Sequence, residues 1–369
     1  MKHLIPARIK ALQAELIALG LHAAMISDRE NLIYFAGVDD LEGGALAIPA
    51  VGDPVLFCLW MDREHMQKIS GIENVVGFKF PQFNQSKMMC KWLEDQGWIA
   101  PRLGFTRYFV SLNDFLFMKQ AAPDMVVESI AIPCYRLRSV KAPEEIARIE
   151  VASKALKSGM DAAFAAVAPG IRETDVLAEA DYAMKKSGSQ GSSFRMQVLA
   201  HSRQQLMHPY ASDAPLEPDA PVVVHLGASY CGYVSKMCRT VFLGNPKEQS
   251  VDIYKALIRA MDVAVKEVRP GMTCASLYDL VRGIIVEAGY EKYWVMDHIG
   301  YGVGIRQSEF YPIIEKGSGT ILEENMIIDL LLPTIYIPGV GGPRVTDTIL
   351  IEKSGGRRLT DYPADIVFK

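Results

Sequence analysis

The sequence lacks the features that usually identify membrane, secreted and nucleic-acid-binding proteins. It has no apolar run long enough to cross a bilayer, and its first residues, Met1–Pro6, lack the apolar core of a secretory signal. Lys and Arg number 39 against 43 Asp and Glu, a formal net charge of −4, so no basic excess is available to bind a phosphate backbone. Neither a membrane nor nucleic acid is therefore an expected partner.

The cysteines also lack a pattern. There are six, they are scattered, and none forms a CxxC pair. In a chain of 369 residues such cysteines are typical of buried thiols in a reducing compartment, so we predict a cytoplasmic protein. The length exceeds what one hydrophobic core usually fills, so two domains are expected.

The first third of the chain alternates helical and extended patterns. A helix is predicted over residues 9–19, followed by a buried strand at Ala23–Ile26. Turn residues at 52–54 separate two further predicted strands. These patterns predict an α/β domain with a mixed sheet over residues 1–132.

The remainder of the chain has longer helices between strand-rich segments. A helix is predicted over residues 143–167, because proline suits a first helical turn. Thr174 is predicted to cap a second helix, since its hydroxyl can bond a free amide of the first turn. Two later helices are predicted near 251–268 and 276–288. Two helix pairs among strands indicate an internally duplicated α+β domain over residues 133–369.

Five motifs follow one another in a recognisable order. They are NLIYFAG at 31–37, LRSVKAPEEI at 137–146, GYVSKMCRTV at 232–241, GYGVGI at 300–305 and GPRVTDT at 342–348. Together they resemble the creatinase, prolidase and aminopeptidase P family. The resemblance implies a creatinase-type α/β domain at the N-terminus and a C-terminal "pita-bread" domain of the catalytic type. It also implies a strand and turn at the first motif.

The positions that this resemblance assigns to the family's metal ligands carry other residues. Active members hold two divalent ions with two aspartates, one histidine and two glutamates. The corresponding residues here are His225, Lys236, Tyr301, Leu332 (or Leu331) and Thr346. A lysine ammonium has donors only, and it places positive charge where a cation should bind. We therefore predict no metal and no cofactor.

His208 is the first candidate for a catalytic residue. It lies in Met207-His208-Pro209-Tyr210, which is similar to the family's substrate-loop histidine. In creatinase, a metal-free member, the matching histidine is the proposed proton-transfer residue. A histidine titrates near neutrality and can move a proton in both directions. The alternative is a loop histidine bonded to the backbone.

Lys236 and His225 are predicted to assist His208. Lys236 falls in a core strand, where an ammonium needs a partner, and Asp329, Glu309 and Asp347 are the candidates. The lysine either replaces the metal ions as a structural cation or anchors a substrate carboxylate. For His225 the alternative is a core histidine whose hydrogen bonds are satisfied. The residues predicted to bind substrate are Tyr301, Arg344, Glu309 and Asp297.

Three functional hypotheses follow. The leading one is a hydrolase that cleaves a C–N bond of a small amino-acid-like or amidino substrate without the family's dinuclear metal site. The first alternative is a non-catalytic pita-bread protein that binds a small ligand or a protein partner. The second is a proline-specific metallo-aminopeptidase or dipeptidase. The resemblance also implies a homodimer.

Overall fold

The chain is described by a computed structural model that covers residues 1–41, 43–106, 112–331 and 335–369. It forms two compact units, Met1–Arg138 and Ser139–Lys369. A search of the described helices finds none that is long and apolar enough to cross a membrane.

The N-terminal unit contains a six-stranded mixed sheet. Its strands are β1 (Ala23–Ile26), β2 (Ala45–Pro49), β3 (Val55–Leu59), β4 (Asn74–Phe78), β5 (Arg102–Phe105) and β6 (Val126–Ser129). The helices are α1 (Ile5–Ala18), α2 (Arg29–Ala36), α3 (Arg63–Ile69), α4 (Gln85–Asp95), α5 (Leu112–Ala121) and α6 (Ala131–Ser139). The strand order is β4-β3-β2-β1-β5-β6. Strand β2 is antiparallel to its neighbours and the other pairs are parallel, which confirms the predicted mixed sheet.

The first motif is helical, so the strand and turn implied there are wrong. Helix α2 begins after Asp28, whose carboxylate accepts a hydrogen bond from the Asn31 amide at 3.2 Å. It ends at Gly37, which has a φ of +78°, a left-handed conformation that glycine adopts without a Cβ clash. Capping at both ends therefore stabilises this segment as a helix.

The C-terminal unit contains a nine-stranded sheet and two helix pairs. The helices are α7 (Pro143–Ala166), α8 (Glu173–Lys186), α9 (Glu248–Glu267) and α10 (Cys274–Glu287). The strands are β7 (Gln197–Leu199), β8 (Pro221–Tyr230), β9 (Tyr233–Phe242), β10 (His298–Gly302), β11 (Glu309–Glu315), β12 (Ile327–Leu331), β13 (Thr346–Glu352), β14 (Gly355–Arg358) and β15 (Val367–Phe368). The main order is β11-β10-β12-β13-β9-β8-β7, with β14 on β13 and β15 on β9.

The helix starts follow the sequence signals, with one correction. Helix α7 begins at Pro143, as predicted. Thr174 does not cap α8, because the cap residue is Arg172 and the Thr174 hydroxyl is buried without a partner in the described chain. The carboxylate of Glu173 instead accepts the backbone amides of Ala200 at 2.8 Å and Ser212 at 2.9 Å. The first residue of α8 therefore binds the backbone of two neighbouring segments through its side chain.

The two faces of the C-terminal sheet have different roles. Val224 on β8 and Met237 on β9 belong to an apolar cluster that includes residues of α7 and α8. Side chains alternate along a strand, so His225, Lys236 and Cys238 point to the opposite side. We call this side, which carries His225 and Lys236, the site face. It places Lys236 and His225 on the side of the sheet opposite α7 and α8.

Candidate functional site

Lys236 and Asp329 form an ion pair on the site face. Nζ of Lys236 contacts Oδ2 of Asp329, and the two side chains are 6% and 0% exposed. The register explains the meeting, because Asp329 lies opposite Thr348 on β13. The Thr348 hydroxyl in turn accepts the backbone amide of Lys236 at 3.1 Å. Asp329 is thus the partner among the three candidates that the sequence offered.

The surroundings of the Asp329 carboxyl shift its pKa. Burial raises its pKa to about 6, although the Lys236 ammonium opposes this shift. Apart from Lys236, neither oxygen has a partner among the residues that the structure covers. A buried pair of this kind is held together because each charge compensates the other.

This pKa shift predicts a pH-dependent stability. The folded pKa of Asp329, about 6, lies above its ordinary value of 3.8, so folding takes up a proton between these values. From pH 4 to pH 6 the free energy of unfolding of the wild type should fall by about 2 kcal/mol relative to Asp329→Asn. Urea unfolding at both pH values measures the difference. Asp361→Asn, at an exposed site, should lose as much stability between the two pH values as the wild type does. If Asp329→Asn also loses as much as the wild type, the raised pKa of Asp329 is contradicted.

His225 is a buried imidazole with an open nitrogen. Its ring packs against Phe194 with centroids 4.5 Å apart. Nε2 has no hydrogen-bond partner in the described chain, so His225 is not a fully satisfied core histidine. Burial, followed by the positive charges of Lys236 and Arg344, lowers the pKa of His225 well below its ordinary value. The ring is therefore neutral at neutral pH.

Arg344 holds the loop that carries His208. The side chain is buried, and Nη2 donates to the carbonyls of Gln204 at 2.8 Å and Leu206 at 3.1 Å. Nη1 donates to Oε1 of Gln197 at 3.4 Å. The arginine predicted to bind substrate thus donates hydrogen bonds mainly to oxygen atoms of the protein itself.

Two further side chains hold the same loop, and the sequence did not single them out. Arg195 donates to the carbonyl of His208 at 2.6 Å. Gln197 donates to the carbonyls of Met207 at 3.1 Å and Pro209 at 3.4 Å. The available sequence signal was a glutamine at the start of an otherwise apolar strand, Gln197–Leu199. The loop backbone is therefore fixed from several directions.

The His208 ring is open to ligands. The residue is exposed, and no described group hydrogen-bonds its imidazole. Partial burial, followed by the positive charges of Arg344 and Arg195, lowers the pKa of His208 below its ordinary value. A neutral, accessible imidazole can accept a proton, as the sequence prediction requires.

Tyr301 lies at the other end of the same region. It is opposite Asp329 in the pairing of β10 with β12. Its hydroxyl is 2.5 Å from Nε2 of His298, and its ring is half-buried. Burial, followed by the negative charge of Asp329, raises the pKa of Tyr301. The phenol is therefore a neutral hydrogen-bonding group beside the ion pair.

The other two predicted substrate residues have different surroundings. Glu309 is buried, and its Oε1 accepts the backbone amide of Arg306 at 3.2 Å. A Cβ added at Gly304 would lie 3.4 Å from this oxygen and 3.6 Å from Nζ of Lys141. Asp297 is exposed just before β10. The carboxylate of Glu309 is thus engaged within the protein, whereas Asp297 faces solvent.

Both units match known families. The model described as "Metallopeptidase family M24" matches residues 147–353, and that described as "Creatinase/Prolidase N-terminal domain" matches residues 8–140. An Xaa-Pro dipeptidase of Pyrococcus furiosus is 32% identical over 337 residues, which are 91% of this chain and 92% of that protein.

Solved structures agree with these matches. The prolidase from Pyrococcus horikoshii OT3 has a TM-score of 0.89 at 30% identity, covering 98% of this chain and 100% of that chain. An Xaa-Pro dipeptidase from Bacillus anthracis has a TM-score of 0.90 at 25% identity, covering 99% and 100%. The fold is thus that of a pita-bread hydrolase with a creatinase-type N-terminal domain. The chain belongs to metallopeptidase family M24.

These matches confirm the predicted family and fold and correct the predicted function. The leading hypothesis, a metal-independent hydrolase of a small amidino or amino-acid-like substrate, is wrong. The reason is that relatives over nearly the whole chain are Xaa-Pro dipeptidases. The same relatives speak against the non-catalytic alternative and support the proline-specific one.

The described residues do not fit the metal ions that the family name implies. No group of three or more His, Cys, Asp or Glu side chains that could hold a metal occurs within the described ranges. The Lys236 ammonium is already paired with Asp329, and its positive charge would repel a metal cation bound beside it. Leu332, aligned with one metal ligand by resemblance, lies outside the described residues. A dinuclear metal step therefore has no basis in these side chains.

Proposed function

We propose that this chain hydrolyses Xaa-Pro dipeptides. The proposal rests on the similarity to the Xaa-Pro dipeptidase of Pyrococcus furiosus, 32% identity over 91% of the chain. A match of that extent must include residues of both units. Hydrolysis of the peptide bond before proline is also consistent with a site open to a small ligand.

Within this site we assign proton transfer to His208. The residue is exposed, and partial burial of the ring followed by nearby positive charges lowers the pKa of His208, which favours the neutral imidazole. Such a ring can accept a proton from the water that attacks the peptide carbonyl, and then donate that proton to the prolyl nitrogen as the C–N bond breaks. Arg195 and Arg344 support this role by fixing the loop backbone. Tyr301 and Lys236 are the proposed polar contacts for the rest of the substrate.

Hydrolysis of matched peptides tests the proposal. Purified protein is given Ala-Pro, Gly-Pro, Ala-Ala and the tripeptide Ala-Ala-Pro, once with EDTA and once with added Mn²⁺. We expect the Xaa-Pro dipeptides to be cleaved at least about tenfold faster than the others, because a site matched to a ring and a chain length discriminates by that order. Folded protein that releases no proline under either condition would refute the function.

We further propose a cytoplasmic homodimer whose partner is a small-molecule substrate. The six cysteines are free thiols, in keeping with a reducing compartment. Exposed apolar side chains after β3 and β4 provide surface for a second copy: Trp60 (55%), Met61 (75%) and Phe80 (71%). Light scattering that gives the mass of a single chain would contradict the dimer, and recovery in a membrane or secreted fraction would contradict the location.

A further inference from the structure

Several buried polar groups on or beside the site face lack partners in the described chain. They are Nε2 of His225 and the hydroxyls of Ser193 and Thr346. The Lys236 ammonium has three donor hydrogens, and Asp329 is its one ion-pair partner among the described residues. Buried polar atoms are normally paired, so a group of unpaired ones indicates a place that a polar ligand completes.

Strand register puts three of these groups side by side. His225 on β8 lies opposite Cys238 on β9, and Cys238 lies opposite Thr346 on β13. Lys236 is two residues before Cys238 on β9, so its side chain lies on the same face of the sheet as that of Cys238 and is its next neighbour along the strand. An imidazole, a hydroxyl and an ammonium therefore surround Cys238.

The segment before β7 covers the same place. Gly227 lies opposite Lys236, and a Cβ added at Gly227 would collide with the Phe194 ring and the Ser193 hydroxyl. Both side chains therefore lie directly over this strand position. The Phe194 ring also packs against His225 at 4.5 Å. Hydroxyl and imidazole groups thus stand next to an apolar aromatic wall.

The charges of this region leave one positive charge uncompensated. Lys236 and Asp329 cancel as a pair. Arg344 is 6% exposed, and its guanidinium donates to neutral oxygens, with no carboxylate against it in the described chain. A buried cation without a counter-ion is unfavourable, so one bound anion would restore neutrality.

We infer that Lys236, His225, Thr346 and Ser193 form a carboxylate-binding site. The inference rests on the proposed function, in which the carboxylate is the free C-terminus of the dipeptide and Phe194 packs against the prolyl ring. The ammonium, the two hydroxyls and the imidazole supply enough donors for both oxygens of one carboxylate. The site thus selects for ligands that end in a free acid.

Calorimetric titration of L-proline and L-prolinamide tests the site without a substrate turnover. The wild type should bind the acid about tenfold more tightly than the amide, because charge-assisted hydrogen bonds are lost in the amide. Thr346→Val and Ser193→Ala each remove one unpaired hydroxyl, and each should lower this ratio by about threefold or more. Ser250→Ala removes a buried, unpaired hydroxyl on α9 and should leave the ratio unchanged.

The outcomes separate this inference from the proposed function. Equal affinity for acid and amide, or a ratio that neither variant lowers, overturns the carboxylate site even if Ala-Pro is hydrolysed. A preference for the acid that both variants lower supports the site even if no dipeptide is cleaved. Inorganic phosphate that displaces proline with the same dependence on Thr346 and Ser193 overturns the assignment to carboxylates.

Discussion

Replacing His208 by alanine should reduce the rate of Xaa-Pro hydrolysis by about 10²- to 10⁴-fold, the usual contribution of a positioned acid or base. The reason is that its ring is the accessible neutral imidazole of the site. Folding should be unaffected, because the loop is held through backbone carbonyls that alanine keeps. Steady-state kinetics on Ala-Pro, with circular dichroism of each protein, measure both effects.

A second histidine provides the control for His208. His65 is exposed in the N-terminal unit and bonded to Asp40 at 3.0 Å. His65→Ala should keep the wild-type rate. A His208→Ala protein that is as active as His65→Ala would remove His208 from the chemistry, while leaving the substrate class intact. A loss confined to KM would make it a binding residue.

Replacing Lys236 by methionine should lower the free energy of unfolding by about 3–5 kcal/mol at pH 8, because it leaves the Asp329 carboxylate buried and unpaired. The loss should be smaller at pH 5. There Asp329, whose pKa burial raises to about 6, can take up a proton. Urea denaturation at the two pH values measures the change. Lys316→Met, at an exposed position, should stay within about 0.5 kcal/mol of the wild type.

The double variant Lys236→Met/Asp329→Leu completes the comparison. Apolar residues that replace a buried ion pair are often neutral for stability, so the double variant should recover to within about 2 kcal/mol of the wild type. A double variant as unstable as Lys236→Met would mean that the loss comes from packing around the lysine stem. The ion pair would then have no measurable share.

Local signals in the sequence were enough for much of the fold. Pro143 fixed the start of α7, and the mixed sheet of the N-terminal unit followed from strand and turn residues. The strand and turn that the resemblance implied at the first motif are wrong, because capping at Asp28 and Gly37 makes this segment a helix. The prediction that Thr174 caps α8 is wrong by two positions, because the cap residue is Arg172 and the helix already begins at Glu173.

The site was less predictable because its contacts join distant segments. The sequence named Asp329 as one of three partners for Lys236, but strand register alone decides among them. The contact of Arg344 with Gln197 spans 147 positions, so no local pattern could reveal it. The substrate class came from relatives, because a set of substituted ligands does not itself define a substrate.

The way the His208 loop is held has a consequence for protein engineering. Arg195, Gln197 and Arg344 bind main-chain carbonyls, which every amino acid provides. The side chains at residues 205–207 can therefore be varied while the path of the loop stays the same. Substrate preference could be diversified there by a small combinatorial library, with little risk of losing the architecture.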